Sequence, residues 1–78
     1  MSVSQRQGGD KTLINYGKRD WLRDLRTDRN LTQSEVARML GISLDHYQRI
    51  EYGQRNPSPH LAQKIAVLYD VPMERLYR

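Results

Sequence analysis

At 78 residues the chain has room for one modest domain and excludes two. It contains no cysteine, which excludes disulfide bridges and thiolate zinc sites, so helix packing has to stabilise the core. Thirteen Lys and Arg against nine Asp and Glu give a net charge of +4, a balance that makes polyanion binding plausible without establishing it. No apolar run could span a membrane, and the polar start lacks a signal-peptide core, so we expect a cytoplasmic protein.

The first part of the chain is expected to be a flexible arm. Residues 1–16 include several Ser, Gln and Gly and show neither helical nor strand periodicity. The pattern changes at Gly17, after which apolar residues recur at helical spacing. We therefore divide the chain into an arm over 1–16 and a domain over 17–78.

The first helix is predicted from an apolar face surrounded by charged residues. Trp21, Leu22 and Leu25 fall on one side of a helix, whereas the acidic and basic residues between them occupy the other sides. We expect this helix to stop at Asn30, because asparagine tolerates the left-handed backbone conformation that closes many helices.

The second helix begins with a strong local signal. Thr32 and Glu35 have the spacing of a capping box, in which each side chain accepts a hydrogen bond from the backbone N–H of the other. Gly41 is suited to end the helix, since glycine adopts a positive φ without strain. The buried stripe is expected to consist of Val36, Ala37 and Leu40.

A tight turn leads into the third helix. Ser43 can cap this helix, while Tyr47 and Ile50 point inward at three-residue spacing. Gly53 is expected to terminate it. Helices two and three would thus form a closely joined, sharply angled pair.

The remaining sequence predicts two further helices. Ser58 and Pro59 suit the cap and first position of a fourth helix, which Asp70 ends. Pro72 can open a short fifth helix whose Leu76 returns to the core. The apolar face of the fourth helix comprises Leu61, Ala62, Ile65, Ala66 and Leu68. Because no segment alternates like a strand, the fold class is all-α, a compact five-helix bundle with a flexible N-terminal arm.

Two runs carry a family resemblance. LTQSEVARMLGIS at 31–43 and IEYGQRNPS at 50–58 are similar to the phage repressor and Cro family, the XRE-type helix-turn-helix proteins. The resemblance extends from about 17 to 77. It implies a compact five-helix DNA-binding domain, with the third helix, about 44–52, in the major groove of double-stranded DNA. It also implies a small transcriptional regulator, expected to be a repressor, that acts as a homodimer on palindromic operators.

The same resemblance assigns roles to residues around the helix pair. Gln33 matches an anchor to the phosphate backbone at the start of helix two, although a plain solvated glutamine is the alternative. Arg26 and Glu51 match an ion pair that joins helices one and three and orients the recognition helix. Arg55, on the loop after helix three, is the best candidate for a phosphate clamp, with a solvated arginine as the alternative.

Base reading is expected from the third helix. Arg49 suits guanine, and Gln48 suits adenine. Leu44 could contact a thymine methyl group or belong to the core or helix edge. Asp45 could accept from cytosine, or it could help to cap its own helix while repelling phosphate. The complete set of expected DNA contacts is Thr32, Gln33, Ser43, Leu44, Asp45, His46, Gln48, Arg49, Gln54, Arg55 and Asn56.

Two other functions compete with DNA binding. An enzyme would have to use His46, His60 and Asp45, which no predicted pocket brings together, so we expect no enzyme, no metal and no cofactor. A protein-interaction module that keeps the fold without binding specific DNA is the stronger alternative, because Asp45 and Leu44 are unusual groups for a DNA-facing helix. The sequence gives no sign of a small-molecule ligand or of a membrane partner.

Overall fold

The computed structural model describes residues 17–77, which form four α-helices and one 3-10 segment, and it contains no strand within that range. No helix in this range is long and apolar enough to cross a membrane. The expected arm over 1–16 lies outside the described residues. The helices are α1 (Asp20–Asp28), α2 (Gln33–Leu40), α3 (Leu44–Glu51) and α4 (Pro59–Tyr69), and the 3-10 segment is Met73–Tyr77.

The prediction of five α-helices was wrong in its last element. The five residues after Pro72 form a 3-10 segment, with the amide of Arg75 donating to the carbonyl of Pro72 at 3.1 Å. A segment this short completes little more than one turn, where i to i+3 bonding is common. Its apolar anchor is nevertheless the expected one, because Leu76 is fully buried.

The predicted helix starts are confirmed by their caps. The Thr32 hydroxyl accepts from the Glu35 amide at 3.1 Å, and the Glu35 carboxylate accepts from the Thr32 amide at 2.8 Å. Both bonds hold the pKa of Glu35 below its ordinary value, and the bond from the Thr32 backbone contributes most. Ser43 and Ser58 each accept from the amide three residues later, at 3.1 and 3.3 Å. Local side chains thus satisfy amide groups that the helices leave without partners.

The predicted helix ends are confirmed as well. Asn30, Gly41 and Asp70 adopt the left-handed conformation, with φ of 57°, 75° and 55°. Gly53 has a φ of 76°, and a Cβ atom there would overlap the carbonyl group of Gly17. Glycine at 53 therefore permits both the backbone turn and the close approach of the chain segment that leads into α1.

The core lies where the four helices meet. α3 packs against α1 and α2, and α4 packs against α2 and the 3-10 segment. The Tyr47 and Tyr69 hydroxyls lie 2.8 Å apart in the interior, which satisfies two polar groups that would otherwise be costly to bury. Burial raises the pKa of both phenols, as expected for groups removed from water. The buried apolar residues are Leu22, Val36, Ala37, Leu40, Tyr47, Ile50, Leu61, Ala62, Ile65, Tyr69 and Leu76.

Candidate nucleic-acid interface

One side of α3 is anchored in the core, and its other side faces outward. Tyr47 and Ile50 are fully buried, as the three-residue spacing predicted. The exposed side carries Asp45 and Arg49, together with Leu44, which is 40% exposed. Leu44 thus lies outside the core cluster, so of its two predicted roles the core one is not observed. His46 and Gln48 are half-buried at the edges of the exposed side.

The exposed side of α3 contains an ion pair that the sequence analysis missed. Arg49 Nε donates to Asp45 Oδ2 at 2.9 Å. The cap of the helix is Ser43, whose hydroxyl accepts from the His46 amide, and Asp45 is engaged with Arg49. The signal was available, because opposite charges four residues apart meet on a helix surface, with the acid in the favourable N-terminal position.

Gln33 lies at the junction of α2 and α3. Its Nε2 donates to Glu51 Oε1 at 3.0 Å, and its Oε1 accepts from Gln48 Nε2 at 3.0 Å. The side chain is half-buried, so it is neither a freely solvated residue nor wholly available to a phosphate. These bonds hold the first residue of α2 against two residues on the second half of α3.

The ion pair that orients α3 is buried. Arg26 Nε lies 2.8 Å from Glu51 Oε2, and Arg26 Nη2 lies 3.1 Å from Glu51 Oε1. The Arg26 and Glu51 side chains are only 11% and 2% exposed. Arg26 Nη1 also donates to the carbonyl of Leu31 at 2.9 Å. The bidentate geometry fixes the direction of α3 relative to α1, as parallel N–H···O bonds restrict both groups.

Acid is expected to weaken this ion pair and so to destabilise the fold. Burial would raise the pKa of Glu51, but hydrogen bonds, of which that from Arg26 is the strongest, hold it below its ordinary value of 4.5. A pKa that is lower in the folded state stabilises the protein above the unfolded value, and this stabilisation is lost as the pH falls through the folded pKa. Urea unfolding at a series of pH values below 4.5 should therefore show a loss of stability that is smaller in Glu51→Gln.

A matched variant controls for carboxylates elsewhere. Glu74 is exposed on the 3-10 segment, so Glu74→Gln should lose as much stability in acid as the wild-type protein does. If Glu51→Gln and the wild type lose the same stability as the pH falls, the role given to Glu51 is contradicted.

Arg19 is a buried residue that the sequence analysis did not identify. It is 3% exposed, and its backbone amide donates to the carbonyl of Glu51 at 2.9 Å. Its guanidinium donates to the carbonyls of Ile50 and of Leu76, the latter at 2.7 Å, and to Asn56 Oδ1. Arg19 thus connects the end of α3, the following loop and the 3-10 segment.

The loop after α3 presents one basic side chain outward. Gln54 and Arg55 are exposed, and Arg55 has no ion-pair partner among residues 17–77. Asn56 is half-buried, with its amide oxygen turned to Arg19. Of the three expected loop contacts, Gln54 and Arg55 are therefore placed at the surface, while Asn56 is engaged within the fold.

Residues suited to catalysis do not form a metal site in the described part of the chain. No group of three His, Asp or Glu side chains is arranged to hold a metal ion between residues 17 and 77. His60 lies in the first turn of α4, and His46 lies on α3.

Comparisons with known proteins agree with this architecture. The helix-turn-helix family model matches residues 22–76. The cryptic phage CTXphi transcriptional repressor RstR of Vibrio cholerae is 38% identical over 55 residues, which cover 70% of this chain and half of RstR. An uncharacterized HTH-type transcriptional regulator of Archaeoglobus fulgidus is 34% identical over 56 residues, or 72% of this chain and 80% of that protein. The chain belongs to the phage repressor and Cro (XRE-type) helix-turn-helix family of DNA-binding transcriptional regulators.

Proposed function

We propose that the protein binds double-stranded DNA sequence-specifically and represses transcription, with α3 in the major groove. The observation that carries the proposal is the exposed side of α3, whose polar side chains stand opposite a fully buried apolar side. With its side chains an α-helix is about 10–12 Å in diameter, so α3 fits a major groove about 12 Å wide. The repressor role is supported by the similarity to RstR.

Within this proposal, the side chains divide into base readers and backbone contacts. Arg49 reads guanine, and Leu44 contacts a thymine methyl group. Gln48 uses one N–H on Gln33, which leaves its oxygen and second N–H to pair with adenine. Residues on the rims hold the phosphate backbone. These rim residues are Thr32, Gln33, Ser43, Gln54, Arg55 and Asn56, with Arg55 as the principal clamp, whereas His46 belongs to the base-reading positions of α3.

The unit to which we assign this function is the domain over 17–78. The net charge of +4 supports attraction to DNA, since basic groups near phosphates release counterions. This role places the protein in the cytoplasm with the DNA it regulates. It needs no enzymatic activity, cofactor or small-molecule ligand.

Two arginine variants test the proposal after an operator has been selected from random DNA. Arg49→Ala should weaken binding by about 1–3 kcal/mol and relax preference at one base position, because it removes a contact to a base edge. Arg55→Ala should weaken binding to all sequences alike and flatten the dependence on salt by about one unit, because it removes a phosphate contact. Fluorescence anisotropy with single-base operator variants measures both effects.

Opposite results would reverse the assignment. A uniform loss for Arg49→Ala, or a change at a single position for Arg55→Ala, would show that the two roles are exchanged. If no sequence is enriched by the wild-type protein, and if retention on DNA does not depend on salt, the protein is an interaction module with the helix-turn-helix fold.

The protein is also proposed to act as a homodimer. Met73 and Tyr77, which are 36% and 42% exposed, are both on the 3-10 segment and offer apolar surface to a second copy. Twofold dimers of this family type place two recognition helices about 34 Å apart, one turn of DNA. The selected operator should therefore be an inverted repeat that binds two chains in sedimentation experiments. One chain per duplex on a site without twofold symmetry would contradict the dimer.

A further inference from the structure

We propose that Asp45 is a positioning residue that determines the base specificity of Arg49. The inference rests on the proposed function and adds a role to the exposed side of α3. The observation behind it is the contact between Arg49 Nε and Asp45 Oδ2 at 2.9 Å, on the exposed side of α3 that we propose faces DNA.

The geometry of the ion pair leaves the two Nη atoms of the Arg49 guanidinium free to contact DNA. Asp45 engages Nε, whereas neither Nη atom of Arg49 has a hydrogen bond or ion pair among residues 17–77. The two Nη groups are a parallel pair of donors, which is the arrangement that meets guanine O6 and N7 together. The Arg49 side chain remains 45% exposed, so the Nη end can reach a base edge without breaking the bond to Asp45.

The acid also restricts what the arginine can do elsewhere. An unrestrained arginine could swing to a phosphate on any sequence and would add affinity without discrimination. The carboxylate holds one rotamer through Nε and, being 73% exposed, brings a negative charge toward the DNA backbone. At a site with guanine, the bonds from Arg49 to the base offset this repulsion. At a site without guanine, nothing offsets it. Asp45 therefore increases specificity by weakening binding to wrong sites.

Asp45→Ala tests the inference, since alanine removes the acid without adding a donor. On single-base variants of the selected operator, the preference for guanine at the Arg49 position should fall about tenfold, within the range of one bidentate contact. Affinity for unrelated DNA should rise. Asp45→Glu should restore most of the preference, because glutamate also pairs with an arginine four residues later. Circular dichroism melts verify that the variants fold, as expected for a side chain so exposed.

Two controls separate positioning from a general charge effect. Glu74→Ala makes the same change in net charge on the 3-10 segment, away from α3, and should leave the base preference unchanged. In an Arg49→Ala background, Asp45→Ala should no longer change the preference at that position, because the residue through which Asp45 acts is missing.

The outcomes distinguish this inference from the proposed function. An operator that is selected by the wild type and read with unchanged preference by Asp45→Ala overturns the positioning role alone. A change in base preference on Asp45→Ala that persists in the Arg49→Ala background also overturns it and assigns Asp45 a base contact of its own. Failure of the wild type to select any operator overturns both proposals.

Discussion

Replacing either Arg26 or Glu51 by alanine is expected to lower the free energy of unfolding by about 3–5 kcal/mol, the range for removing one partner of a buried ion pair. Both side chains are nearly inaccessible and joined by two bonds, so each single change leaves a charge in the interior without its partner. The double change removes both charges, and its loss should be smaller than that of either single change. Urea unfolding of the three variants gives the coupling between the two residues.

The pair on the outer side of α3 is a matched control. Asp45 and Arg49 are 2.9 Å apart, close to the 2.8 Å of the buried pair, but remain well exposed, so Arg49→Ala should change stability by less than about 1 kcal/mol. If the losses from Arg26→Ala and Glu51→Ala simply add in the double variant, the buried pair does not act as a unit. A destabilisation by Arg49→Ala as large as that by Arg26→Ala would show that burial does not explain the contribution of the Arg26 and Glu51 pair to stability.

Features that depend on neighbouring residues were predictable from the sequence. The capping box of Thr32 and Glu35 and the left-handed turn at Gly41 are set by contacts within a few positions. Each such contact has a residue signature of its own, which explains why the helix boundaries were correct. The Asp45 to Arg49 pair has the same local character and could have been found by the same reasoning.

Features that join distant segments were not predictable in this way. Nothing near Gln33 in the sequence indicates Gln48 as its partner, because the two meet only when α2 packs on α3. Tyr69 was not assigned to the core, although its neighbour Leu68 was; the packed helix buries Tyr69 fully and leaves Leu68 at the edge. Arg19, in a stretch rich in charged residues, has the local signature of a surface residue. The burial of such residues depends on the tertiary arrangement.

Arg19→Ala is expected to lower the free energy of unfolding by about 3 kcal/mol or more. The change leaves the carbonyl of Leu76 and Asn56 Oδ1 without this donor, whereas the carbonyl of Ile50 keeps its bond from the Gly53 amide, and each unsatisfied buried acceptor costs about 1–3 kcal/mol. Since the domain is small, each 1 kcal/mol should lower the melting temperature by about 4–8 °C. Urea unfolding and thermal melts measure the loss.

Two variants show whether the hydrogen bonds from the Arg19 guanidinium are the cause of this loss of stability. Arg19→Lys keeps the charge but replaces the planar guanidinium by one ammonium, which cannot reach acceptors on three segments at once, so it should recover only part of the stability. Arg23→Ala removes an exposed arginine from the same helix region and should change stability by less than about 1 kcal/mol. Because Arg19 holds Asn56 and the carbonyl of Arg55, 3.3 Å from its Nη1, Arg19→Lys should also weaken DNA binding at temperatures where it stays folded. Full stability of Arg19→Lys would show that the positive charge, and not the geometry of the guanidinium, stabilises the end of α3.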